Sequence, residues 1–156
     1  MKKLGFGMMR LPLTNPEDQK SIDIEQTCKM VDTFLEKGFT YFDTAYMYHA
    51  GKSENVIKEV LVERHPRDSY LLATKMPTMF LKEEADMERI FQEQLEKTGA
   101  GYFDYYLLHS VSGGEDFERR FGSTGIMDFL MKEREAGHIR NLGFSFHGPQ
   151  TGFDEL

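Results

Sequence analysis

The chain has 156 residues, 40% of them hydrophobic, with 13 Phe, 7 Tyr and no Trp. This suffices for a single domain with a core over residues 1–156 and is too apolar for a disordered chain. The balance of 19 basic against 26 acidic residues gives a net charge of −7, which argues against nucleic acid and anionic membrane as partners.

Cys28 is the single cysteine, so the chain can form no internal disulfide and build no Cys-rich metal or iron–sulfur centre. The opening MKKLGFGMMRLPL lacks the apolar run of a signal peptide, and no segment reaches transmembrane length. The expectation is a cytoplasmic protein with no membrane partner.

In chain order, short apolar runs alternate with helix-patterned stretches. The first run is LGFGMMR (4–10). Its GFG lacks the third glycine and the following helix of a dinucleotide loop, so it reads as strand backbone. A helix follows over 24–38, with Ile24, Cys28, Val31 and Leu35 on one face and Gly38 as its stop. The second run, TYFDTA (40–45), ends in an acid, and Tyr48 follows in a loop. Ser53 is then the expected N-cap of SENVIKEVLVER, with Val56, Ile57, Val60 and Leu61 facing inward.

The third run is YLLATK (70–75). The next helix, 83–99, presents Met87, Ile90, Phe91 and Leu95 and stops near Gly99, with Glu83, Glu84, Asp86 and Glu88 as an acidic first turn. The fourth run is DYYLLHS (104–110). After it, Glu115, Asp116, Glu118, Arg119 and Arg120 read as a solvated charged loop. A helix over 124–137 uses Ile126, Phe129 and Leu130, and IRNLGFS (139–145) is the fifth run.

Runs that are apolar at consecutive positions suit strands buried on both faces. Strand–helix–strand order implies parallel strands with right-handed crossovers. One polar residue ends each run: Arg10, Asp43, Lys75, His109 and Ser145, at steps of 33, 32, 34 and 36 residues. That unit belongs to the open doubly wound sheet and to the (β/α)₈ barrel, and both gather chemistry at the carboxyl ends of their strands.

Taken singly, Asp43 could cap a loop, Lys75 could snorkel and His109 could be a bonded core histidine. Together they would converge on one rim if the sheet curls. A buried ammonium needs a counter-ion, which Asp43 can provide. A lysine ammonium beside Tyr48 would stabilise the phenolate and make the phenol a competent proton donor to a developing alkoxide. His109 could hydrogen-bond a carbonyl and orient it.

These residues carry a family resemblance. FDTAYMY followed by GKSE, then LLATK and YYLLHS, resembles the aldo-keto reductases, NADPH-dependent (β/α)₈ barrels that reduce aldehydes and ketones. The resemblance implies Tyr48 as general acid, Lys75 and Asp43 as its tuning pair and His109 as the substrate orienter. GFGMMRLP (5–12) is similar to the opening barrel strand and LGFSFHG (142–148) to the fifth. It also implies that Ser145 holds the nicotinamide carboxamide, with Asp43 beside the cofactor; the following residue, usually Asn, is Phe146. The wording of the first and fifth strands is similar to a branch that often carries a ferredoxin-like extension.

The resemblance runs from about Gly5 to Gly148. A (β/α)₈ barrel takes about 250 residues, so it implies an incomplete barrel of about five strands, one truncated domain whose open sheet edges invite self-association. The strands and loops that would grip most of the NADPH are not in this sequence. The main expectation is reduction of small carbonyl substrates. A second reading is an inactive half-barrel without a complete cofactor site. A third is a metal-dependent hydrolase built on His49, His109, His147 and Asp43, whose spacing lacks the paired histidines of common zinc sites. His65 and His138 read as surface residues.

Overall fold

The computed structural model describes residues 3–122 and 124–156; Met1, Lys2 (half of the opening lysine pair) and Ser123 lie outside it. Five strands form one sheet: β1 (Gly5–Gly7), β2 (Tyr41–Asp43), β3 (Leu71–Met76), β4 (Phe103–Val111) and β5 (Ile139–Phe146). Each pairs in parallel with the next, in the order β1-β2-β3-β4-β5. This sequential order is that of a barrel wall, since a doubly wound sheet reverses direction at a switch point. The five expected runs are the five strands, with one correction. β1 stops at Gly7, so the exposed Arg10 lies beyond the strand and ends nothing.

Helices α1 (Ile24–Glu36), α2 (Ser53–Ile57), α3 (Ala85–Thr98), α4 (Gly114–Phe117), α5 (Ile126–Glu135) and α6 (Gln150–Asp154) fill the connections. The main core lies between the helices and the outer face of the sheet. Phe42, Leu72, Phe103 and Tyr106 meet Val31, Phe34, Ile57, Val60, Leu61, Ile90 and Phe91 there, all buried. Phe91 packs edge-on against Phe103, Tyr106 and Phe129. Each such side chain contributes roughly 1.5–3 kcal/mol by burial.

Local chemistry explains where the helices begin and end. The Asp23 carboxylate accepts from the Gln26 N–H and caps α1. Gly99 closes α3 with φ of +62°, a left-handed turn that favours glycine. Two expectations shift by a fraction of a turn or more. The buried face of α1 is Thr27, Val31 and Phe34, with Ile24, Cys28 and Leu35 only partly covered. Ser53 is not a cap: it is the first residue of α2, fully buried, and its hydroxyl is turned inward. Beyond Ile57 the helix widens into a π turn over Lys58–Val62.

Side chains alternate across the strands. Phe42, Leu72, Thr74, Tyr106 and Leu142 take the helical side. Tyr41, Asp43, Lys75, Tyr105, His109 and Ser145 take the other, where Tyr41 and Tyr105 touch edge to face at 5.6 Å. The polar residues on that side, Asp43, Lys75, His109 and Ser145, sit towards the carboxyl ends of their strands.

The opposite end of the sheet is tied by Asp104, 1% exposed. Its carboxylate accepts from Arg67 at 2.7 Å, Arg140 at 3.0 Å and the Leu72 N–H at 2.9 Å. Removing that charge strands three donors. Asp104→Asn should therefore lower stability by about 2–3 kcal/mol, read as the urea midpoint at unchanged slope.

Candidate active site

The site is assembled around Lys75. Its ammonium donates to Asp43 Oδ1 at 2.6 Å, to the Thr44 carbonyl at 2.8 Å and to the Tyr48 phenol oxygen at 3.2 Å. Its side chain is 4% exposed, that of Asp43 27%. An ammonium so enclosed requires both the carboxylate and the carbonyl, since burial of an unpaired charge costs several kcal/mol. The same nitrogen stands 4.8 Å from the centre of the Tyr48 ring, and His109 meets that ring edge-on at 6.1 Å.

Asp43, Tyr48, Lys75 and His109 therefore come together. Register accounts for the first pair: Asp43 lies opposite Ala73, so Lys75 stands one inward step further along β3. Tyr48 arrives from a turn after β2 in which His49, Ala50 and Gly51 all have positive φ, +52°, +51° and +86°. Two non-glycine residues in that region cost roughly 1–2 kcal/mol each. His49 holds the turn in place. It is buried, its Nε2 accepts from the Leu11 N–H at 3.1 Å, and its Nδ1 donates to the Gln19 carbonyl at 2.8 Å. Both ring nitrogens are thus committed to backbone, as the neutral Nδ1–H tautomer. Among the described residues no group of three or more His, Cys, Asp or Glu is placed to hold a metal ion. The set His49, His109, His147 and Asp43 does not converge as a metal-dependent hydrolase would need.

His109 sits at an irregularity in β4. Pairing with β5 shifts register between Leu108 and Val111, and Ser110 has φ of +62°. The Ser110 N–H leaves the ladder and donates to Ser145 Oγ at 2.8 Å. Ser145 is therefore at the site's edge, with its own hydroxyl proton free to point elsewhere and Phe146 next to it in the strand. The carbonyls freed by the bulge go to Arg120, which reaches those of His109 and Ser110 at 2.5 and 2.6 Å and Thr78 Oγ1 at 2.6 Å. Asp116 accepts from Arg120 as well, at 3.0 Å. The expected solvated loop is in fact α4 and a π turn over Glu118–Gly122, and Arg120 is the clamp on the strand that carries His109. Nothing in its local sequence distinguishes it from Arg119, which faces solvent.

Burial, the Lys75 ammonium and then His147 and Arg120 push the His109 imidazole down to about 4. It is therefore neutral at pH 7. Between about 4 and the ordinary value of about 6.5, the unfolded chain binds a proton that the folded chain rejects. Stability should rise with pH across that window, and His109→Gln should remove the rise. Histidine ring resonances followed by NMR would show His109 titrating near the lower limit. Tyr41, on the same face, is pushed the other way: burial, then the Asp43 charge, raise its phenol to about 12.

A sequence model of the Aldo/keto reductase family matches residues 3–151. Probable aldo-keto reductase 1 of Glycine max is 28% identical over 162 residues, covering 97% of this chain and 43% of the soybean protein. Schizosaccharomyces pombe yakc, whose name carries NADP(+), is 28% identical over 152 residues, covering 91% of this chain and 42% of its own. Among solved structures, the holo form of an aldo-keto reductase from Bacillus halodurans superposes with a TM-score of 0.73 at 24% identity, over 97% of this chain and 48% of the other. An aldo/keto reductase from Klebsiella pneumoniae in complex with NADP and acetate gives 0.71 at 23%, again over 97% and 48%. The chain spans less than half the length of these curated relatives, and its five strands are part of the barrel of these solved structures.

Proposed function

Because the chain belongs to the aldo/keto reductase family, we propose that it carries the proton-delivering side of a site for NADPH-dependent reduction of small aldehydes or ketones. The observation that carries this reading is the single ammonium of Lys75 shared between Asp43 and the Tyr48 phenol.

Tyr48 is the general acid. As its proton passes to a carbonyl oxygen, the adjacent ammonium stabilises the phenolate left behind, and Asp43 keeps that ammonium in position. Tyr41, with its phenol near 12, is held out of this role. His109 is neutral, and its Nδ1 is enclosed without a hydrogen-bond partner among the described residues. A buried acceptor tolerates that better than a buried N–H does, so the ring proton belongs on Nε2, where it can hydrogen-bond the substrate carbonyl.

When bound, the reduced nicotinamide would supply the hydride. Ser145 fits the carboxamide as a donor, because its oxygen already accepts from the Ser110 N–H and its proton is unspent; the family resemblance also puts Asp43 beside the cofactor. Phe146 offers no such bond. A small carbonyl is the expected partner, and no described helix is long and apolar enough to cross a membrane. The lone cysteine suits a reducing, cytoplasmic setting. A second copy pairing at the outer edges of β1 and β5 would cover backbone groups there, which sedimentation velocity tests directly.

Calorimetric titration of the purified chain with NADPH tests the reading. Saturable binding supports it. No binding at concentrations near a millimolar favours the second reading, an inactive half-barrel.

A further inference from the structure

Glu54 presents an energetic problem. It is 0% exposed, and among the described residues it has no ion-pair partner and its Oε2 has no hydrogen-bond partner. Its other oxygen accepts from Thr74 Oγ1 at 2.8 Å and Gln94 Nε2 at 2.7 Å. Burial pushes its carboxyl up from the ordinary carboxylate range. An apolar residue at this point of α2, between α3 and the outer face of β3, would avoid that cost.

The neighbours show what the carboxyl holds. Thr74 and Lys75 are adjacent in β3 and point to opposite faces. Gln94 Nε2 also donates to the Lys75 carbonyl at 3.1 Å and to Thr74 Oγ1 at 3.2 Å, while Gln94 Oε1 accepts from the Tyr106 hydroxyl at 2.5 Å. The back of the Lys75 peptide is thus gripped from the helical side. Ser53 does the same for the other strand. Its hydroxyl donates to the Met8 carbonyl at 3.3 Å, which leaves Thr44 Oγ1 as the donor in the 2.8 Å bond between Thr44 and Ser53. Thr44 is the residue whose carbonyl receives the Lys75 ammonium.

We propose that Ser53 and Glu54 are positioning residues for the Asp43–Lys75 ion pair. Ser53 fixes the Thr44 carbonyl at the end of β2, and Glu54, through Thr74 and Gln94, fixes the stretch of β3 from which Lys75 projects. Two consecutive residues at the start of one helix thereby set the spacing of the two strands that carry the pair. The geometry stands by itself; its catalytic consequence rests on the reading of Tyr48 as the acid.

The test follows the Lys75 amine and needs neither cofactor nor carbonyl, so its outcome is independent of whether the chain reduces anything. The purified chain is treated with limiting acetic anhydride, and acetylation at each lysine is quantified by peptide mapping. Loss of one bond that orders a charged group should raise Lys75 acetylation about tenfold in Ser53→Ala and in Glu54→Ala, with Lys97 unchanged. Glu54→Gln keeps the accepting oxygen and should leave Lys75 as protected as in the parent. Asp104→Asn, destabilised at the far end of the sheet, should also leave it protected. If Glu54→Ala does not fold, Thr74→Val removes the same bond from the strand side. Protection retained in both alanine variants overturns the proposal, as does an equal rise in Asp104→Asn, which would reduce the effect to general loosening.

Discussion

Tyr48→Phe is expected to lower carbonyl reduction by about 10²–10⁴-fold, the range of a lost general acid, while leaving the fold intact. The variant removes one oxygen. Among the described contacts that oxygen takes part in a single hydrogen bond, the 3.2 Å approach of Lys75. The ammonium keeps its shorter bonds to Asp43 and the Thr44 carbonyl, so stability should change by less than about 1 kcal/mol. NADPH affinity should be nearly unchanged, because the lost proton is needed only as charge develops on the substrate oxygen. The deciding measurement is the single-turnover rate with NADPH and an aldehyde, beside the melting curve of the same preparation. Full activity in the phenylalanine variant would remove Tyr48 from the role and leave the ammonium itself as the donor to be tested.

The same residues show how far a reader of the sequence can go. Asp43, Lys75, His109 and Ser145 were legible because each is a polar residue that ends a run of apolar ones. A repeat of about 34 residues then suffices to place them on one rim. Tyr48 was legible only through its company, since a tyrosine in a loop has no signature of its own. The helix faces were read to within a fraction of a turn: periodicity identifies an apolar stripe in α1 but not that Thr27 and Phe34 share its buried face with Val31.

What escaped is polar and buried. Ser53 and Glu54 look like a helix start, with a serine where a cap belongs and an acid in the first turn. Their burial is decided by Thr44, Thr74 and Gln94, which approach from three other parts of the chain. Arg120 looks like a loop charge because its partners, two carbonyls freed by a bulge at Ser110, exist only after β4 and β5 slip in register. His49 looks like a candidate metal ligand until Leu11 and Gln19 fold over it. In each case the sequence pattern reports the residue's own preference, whereas its position follows from backbone groups that tertiary structure leaves unpaired.

Asp43→Ala should destabilise the chain by about 3 kcal/mol, and Lys75→Met by much less, about 1 kcal/mol or below. The asymmetry follows from exposure. Without Asp43, the ammonium of a side chain only 4% exposed keeps a carbonyl and a phenol but no counter-charge. Without Lys75, the carboxylate is 27% exposed and can recover water, while a methionine of similar length fills the space. The double variant should match Lys75→Met alone, because the burden in Asp43→Ala is the orphaned charge and not a lost contact. Urea unfolding of the three proteins at one slope measures this. An equal loss in the two single variants would mean instead that the bonds of Lys75 to Thr44 and Tyr48 hold the rim together. The expected pattern has a functional meaning: all three variants lose reduction, yet the two that lack Lys75 keep nearly the full stability of the parent. A buried ion pair that the fold can do without is one whose presence is explained by the chemistry it supports beside Tyr48.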